Sequence, residues 1–145
     1  MSRRPNPIVS LFRRKPKPTV APEWLIVGLG NPGGQYSGTR HNVGFEVIRV
    51  LAERKRADLK TRKFEANYGM ALFGETPVCM VRPMTYMNLS GSSVQPARDF
   101  YKLTNEEVLI VCDDFNLPLG KLRIRTKGTH GGHNGLRDIQ SHLGT

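Results

Sequence analysis

The sequence predicts an α/β fold: a single three-layer α/β/α domain around a mixed central sheet. Three observations carry this expectation. Strand-sized apolar runs at 24–29 and 108–112 alternate with segments of helical spacing. Two β-rich runs, 67–73 and 77–82, flank Gly74, Glu75 and Thr76, a hairpin pattern that puts an antiparallel pair into the sheet. The length, 145 residues, suits one domain rather than two.

Each element has a local reason. Trp24 to Leu29 is uninterrupted apolar sequence bounded by Pro22 and a Gly/Pro turn, so it reads as a buried first strand. Residues 41–54 read as a helix, because Val43, Val47, Val50 and Leu51 fall on one face. Residues 93–102 carry Val94, Ala97, Phe100 and Tyr101 at helical spacing, which requires Pro96 to lie in the first turn, where its missing N–H is harmless. Val108 to Cys112 reads as a second buried strand. Lys121 to Arg125 alternates strictly and predicts a strand with one basic face. His133 to Leu143 reads as a helix after a Gly-rich turn.

Charge divides the chain. Lys and Arg number 22 and Asp and Glu 12, a net charge of +10. Residues 1–22 contribute +6 with no acid and hold half of the ten prolines, so they are expected to form a disordered basic tail. The folded domain is expected over 23–145, with +4. The tail reads either as a solvated extension that attracts RNA or as an organelle-targeting presequence, being Arg-rich and acid-free. No apolar run approaches the ~18 residues of a membrane span, so no membrane partner is expected. Cys79 and Cys112 cannot make a disulfide framework and read as inert buried thiols, which places the protein in the cytoplasm, or in an organelle if the tail is a transit peptide. The basic balance points to a polyanionic partner.

Two Gly- or His-rich patterns mislead. Gly28-Leu-Gly30-Asn-Pro-Gly33 matches a dinucleotide fingerprint, but Pro32, Gly33 and Gly34 prolong a loop where a helix should open directly. The acid expected about 20 residues on would be Glu53, inside a predicted helix. Dinucleotide binding, and with it an oxidoreductase, is set aside. His130-x-x-His133 lacks a Cys or nearby Glu to complete a metal set, so no metal is expected.

The polar residues that composition does not require sit in a few segments around Asn31, His41, Asn88, Asp113 and Asn134. Asn31 and Asp113 fall just after predicted strands, where an open α/β sheet builds its ligand crevice. His41 opens the first helix. A neutral imidazole there accepts a proton from water, and Asp113 is the natural carboxylate for its other nitrogen. Asn31, Asn88 and Asn134 supply amides able to orient a carbonyl or donate to an oxyanion. Plainer roles exist for each: His41 packing at a helix start, Asn88 capping the next helix, Asp113 closing a turn.

The ordered set Ile26 to Gly33, Tyr36, Thr39 to Gly44, Arg82 to Gly91, Asp113-Asp114 and Gly131 to Leu136 closely resembles the bacterial-type peptidyl-tRNA hydrolase family, over residues 24–145. The resemblance implies a monomer that hydrolyses the ester between a peptide and the terminal ribose of tRNA, with peptidyl-tRNA as partner and neither metal nor organic cofactor. It implies His41 as catalytic base and Asp113 as the acid that orients it. It implies Asn31, Asn88 and Asn134 as amides holding substrate and water, and Tyr36 and Met87 as lining the peptide and terminal-nucleotide groove. His133 joins these substrate- and tRNA-binding residues. Arg123 and Arg125 are the candidate phosphate contacts, the plainer reading being a charged strand edge. Family members continue past the His-Asn-Gly helix, so 23–145 is expected to be an incomplete domain. A competing function is a non-catalytic RNA-binding protein of the same fold, of the organellar splicing-factor type.

Overall fold

The computed structural model describes residues 20–36, 38–114 and 117–145; residues 1–19 of the expected tail lie outside the described residues. Five strands form one sheet: β1 (Trp24–Gly28), β2 (Thr61–Lys63), β3 (Ala66–Phe73), β4 (Thr76–Pro83) and β5 (Val108–Val111). Their order is β2-β3-β4-β1-β5. β1 runs parallel to β4 and β5, while β2, β3 and β4 pair antiparallel, so the sheet is mixed as expected. The β3–β4 hairpin closes at Phe73 opposite Thr76, with Gly74 at φ 65° supplying the left-handed turn residue.

Three helices complete the layers: α1 (Val43–Arg54), α2 (Gly91–Phe100) and α3 (Asn134–Leu143). Strand side chains alternate between faces, and the sheet sorts its core accordingly. Ile48 and Ala52 of α1 pack with Val78 and Met80 on one face. Val94 and Ala97 of α2 and Ile139 of α3 pack with Leu25, Val27, Cys79 and Val81 on the other. Each valine, leucine, isoleucine or methionine among them taken fully from water contributes about 1.5–3 kcal/mol, enough to hold α1 and α2/α3 on opposite faces of the sheet.

α1 lies unusually close to the sheet. A Cβ on Gly44 would stand 2.5 Å from the Leu29 carbonyl oxygen and nearer still to Val111 O. Only glycine lets the first turn of α1 approach the ends of β1 and β5 in this way.

Three expectations need correction. α2 begins at Gly91, so Pro96 sits in its second turn, not its first. The earlier start is anchored from outside the helix, where Asp138 accepts the Gly91 N–H at 2.7 Å. β5 is not a buried strand: it is the sheet's outer member, and Leu109 is 43% exposed. Residues 121–125 form no strand, and Leu122 and Ile124 lie in solvent. Alternation alone does not make a strand; a neighbouring backbone must take up its N–H and C=O groups, and among the described residues none does.

Candidate active site

The candidate site lies at the C-terminal ends of β1 and β5, beside the start of α1. The chain leaves β1 into the loop carrying Asn31, and a 3-10 turn, Arg40–Asn42, leads into α1 and carries His41. Asp113 follows β5 by two residues.

His41 and Asp113, 72 residues apart in sequence, meet directly. His41 Nδ1 lies 2.9 and 3.0 Å from the two Asp113 carboxylate oxygens. The carboxylate is 2% exposed, whereas the His41 side chain is 30% exposed. A carboxylate on Nδ1 holds the proton there and leaves Nε2 as the basic nitrogen.

His133 completes a cluster that spacing could not reveal. Its Nε2 lies 3.0 Å from Asp113 Oδ1. Its Nδ1 caps α3, accepting the N–H groups of Gly135 and Leu136 at 3.1 and 3.2 Å. Two backbone donors on Nδ1 require the ring proton on Nε2, so Nε2–H donates to Asp113. Asp113 therefore accepts from two imidazoles, and their rings lie 5.2 Å apart. The His133 side chain, 7% exposed, faces the carboxylate and braces the site from beneath.

Asn31 is braced as well. The Asn42 side chain grips its backbone at both ends, accepting the Asn31 N–H at 2.9 Å and donating to its carbonyl at 3.0 Å. Asn31 Oδ1 accepts the Met87 N–H at 2.6 Å. That bond fixes the amide orientation and makes Nδ2 the end offered outward as a donor. Asn42 was not singled out from the sequence. Its signal was weak: a polar residue at the last position before a helix normally reads as a cap, yet it makes no cap bond here.

The remaining predicted residues fall as follows. Asn88 lies exposed in the 3-10 turn Met87–Leu89, with Ser90, not Asn88, at the N-cap of α2. Asn134 is exposed at the first position of α3. Met87 is 4% exposed and belongs to the core under α2 and α3, so it floors the site region rather than lining an open surface. The side chain of Tyr36 lies outside the described residues. Arg123 pairs with Asp114 at 2.6 Å, and Arg125 is exposed in the same irregular segment.

Comparison with known proteins gives this geometry a lineage. The family model described as peptidyl-tRNA hydrolase matches residues 25–145. The chain belongs to the peptidyl-tRNA hydrolase family. It is 51% identical over 130 residues to a chloroplastic peptidyl-tRNA hydrolase of Arabidopsis thaliana, covering 89% of this chain and 45% of that protein. It is 48% identical to the peptidyl-tRNA hydrolase of Clostridium novyi, covering 84% and 65%. The crystal structure of an Arg119Gln mutant of the Acinetobacter baumannii enzyme superposes with a TM-score of 0.81 at 45% identity, covering 86% of this chain and 64% of that one. The chain thus spans between under half and about two thirds of the length of these relatives.

Within this family member, the one histidine–carboxylate group spaced for a metal among the described residues is His41, Asp113 and His133, with donor atoms within 4.8 Å of one another. The fit is poor. His133 would have to lose its Nε2 proton while Nδ1 still accepts two amides, leaving an imidazolate, or abandon its cap on α3. His130 turns the other way and accepts the Gly132 N–H at 3.0 Å. Cys79 matches the sequence reading of a buried thiol, whereas Cys112 is half-buried and lies just past β5; burial pushes Cys79 up to about 12 and Cys112 up to about 11. No helix among the described residues is long and apolar enough to cross a membrane.

Proposed function

We propose that this chain hydrolyses peptidyl-tRNA, splitting the ester between the peptide and the terminal ribose. The observation that carries the reading is the His41–Asp113 pair, an accessible imidazole whose second nitrogen is held by a buried carboxylate. As water attacks the ester carbonyl, its proton passes to His41 Nε2, and the resulting imidazolium is stabilised by Asp113. The outward amide of Asn31, with Asn88 and Asn134, donates to the developing oxyanion and holds the substrate. Collapse of the tetrahedral intermediate expels the ribose oxygen, which takes the proton back from His41. The products are a peptide acid and free tRNA. No seryl or cysteinyl intermediate is needed, and metal has no role in the sequence of steps. Arg123 and Arg125 contact phosphate, and the chain acts as a monomer.

The test is release of tRNA from N-acetyl-aminoacyl-tRNA by the 145-residue chain beside His41→Ala, with folding checked by circular dichroism. Turnover that disappears in the mutant while tRNA binding persists is the expected result. Wild-type turnover in His41→Ala would reject the base. A folded chain that binds RNA without turnover would favour the non-catalytic RNA-binding reading. Action in the cytoplasm accords with the unpaired cysteines. The chloroplastic relative and the acid-free residues 1–22 favour an organelle as second reading, and a fluorescent fusion to residues 1–22 distinguishes the two.

A further inference from the structure

The ladder register aligns three polar side chains across the sheet. Arg62 of β2 stands opposite Asn67 of β3, and Asn67 stands opposite Arg82 of β4. Directly opposed residues of antiparallel strands share a face, so Arg62, Asn67 and Arg82 form one row. The row lies at the C-terminal end of β4, the same end of the sheet as Asn31 and His41. Arg82 stacks toward Phe45 at 5.5 Å, and Phe45 lies one helical turn beyond His41.

The row is chemically unfinished. Among the described residues neither Arg62 nor Arg82 meets a carboxylate, whereas Arg49, Arg98 and Arg123 each do. Buried side-chain atoms without a hydrogen-bond partner are Asn67 Oδ1, Arg82 Nε, Thr85 Oγ1 and Ser93 Oγ; the first three belong to this row or its flank. Native proteins rarely leave such atoms unmatched without a water, ion or ligand to meet them. Cations on an edge strand guard against aggregation, and that accounts for Arg62 on β2. It does not account for Arg82, which stands on β4 between β3 and β1.

We propose that Arg62, Asn67 and Arg82 bind phosphodiesters at the single-stranded 3′ end of the RNA substrate. The inference rests on the proposed function for the identity of the polyanion. Arg62 lies on the β2 edge, and Arg123 reaches Asp114 just beyond β5, the opposite edge among the described strands, so the row and Arg123 stand on two sides of the catalytic residues. Arg62 and Arg82 are two strand spacings apart, about 10 Å at the backbone. That separation fits guanidiniums on successive phosphates better than a single anion. Each guanidinium offers paired donors to phosphate oxygens.

The experiment measures tRNA affinity of the full chain by fluorescence anisotropy over a salt series. The ligands are deacylated tRNA and the same tRNA lacking its last three nucleotides. Arg82→Met retains the apolar stem, Arg62→Ala changes only an exposed edge position, and Arg49→Ala is the basic control. Arg62→Ala and Arg82→Met are each expected to weaken intact tRNA binding about threefold to tenfold and to lower the salt slope by about 0.7. Neither is expected to change binding of the trimmed tRNA, and Arg49→Ala should match wild type on both. An equal penalty on trimmed tRNA, or none on intact tRNA, overturns the row while wild-type binding and turnover leave the proposed function standing. A folded wild-type chain that binds no tRNA overturns both.

Discussion

Gly44→Ala tests whether the site depends on the close seating of α1. The methyl group would stand 2.5 Å from Leu29 O, and 3.0 Å is the shortest separation that real Cβ atoms show, so α1 must retreat by at least about 0.5 Å. The neighbouring atoms are backbone of β1 and β5 and cannot swing aside as a side chain tip would. Overpacking of this kind costs about 1–3 kcal/mol. Alanine's helix propensity returns at most about 1 kcal/mol, so the net effect is destabilising by roughly 1–2 kcal/mol. With a urea slope near 2 kcal/mol/M, the middle of the usual range of about 1–3, the midpoint should fall by about 0.5–1 M. The same retreat carries His41, three residues upstream, away from Asp113. Its 2.9 Å bond stretches toward the limit of hydrogen bonding. Misplacement of this size costs about tenfold to 10²-fold in rate. Urea unfolding and hydrolysis of N-acetyl-aminoacyl-tRNA read the two effects on one preparation. An unchanged midpoint together with unchanged turnover would falsify the coupling between helix seating and the imidazole–carboxylate pair.

Other outcomes follow from single contacts. Asn42→Ala removes both bonds to the Asn31 backbone at a buried position and should lower stability by about 1–3 kcal/mol; chemical denaturation measures it, and a change under 0.5 kcal/mol would count against the clamp. Cys79, raised to about 12, holds a thiolate fraction near ~10⁻⁴ at pH 8; native protein should resist iodoacetamide at this residue and react once denatured, as peptide mass spectrometry would record. Raising pH toward that value should restore reactivity, because the thiolate forms only as pH approaches the elevated pKa. Arg123→Ala with Arg125→Ala should weaken tRNA binding and flatten its salt dependence; an identical slope would remove them from the phosphate contacts.

Much of this architecture is legible in the sequence because periodicity reports burial. β1 and β4 are apolar runs that announce their burial. The 3.6 spacing in α1 announces the helix but not its face: Val43 of the expected stripe is 41% exposed, and the residues buried on the sheet are Gly44, Ile48 and Ala52. β2 gives no such signal: Thr61, Arg62 and Lys63 are all exposed, and only their pairing with β3 makes them a strand. Residues 121–125 mislead for the opposite reason, having the alternation but no neighbouring strand. In the site, the His41–Asp113 pairing is readable because Asp113 follows a strand and His41 leads into a helix at the same end of the sheet. The second imidazole on Asp113 and the Asn42 clamp are not readable. They depend on ring and amide orientations settled by single backbone N–H groups, to which hydropathy is blind.

The place of Asp113 has a dynamic consequence. It hangs from β5, which among the described residues pairs on one side only, with β1, and is half exposed along its length. Protection against amide exchange should therefore rise from β5 inward to β1 and β4, since edge segments open with far less free energy than the global transition. The carboxylate that orients His41 thus belongs to a less firmly held part of the sheet than the loop that holds Asn31. On warming, the two halves of the site should part company by local opening of β5 before the core melts. Activity would then decline at temperatures where β1 and β4 amides are still protected.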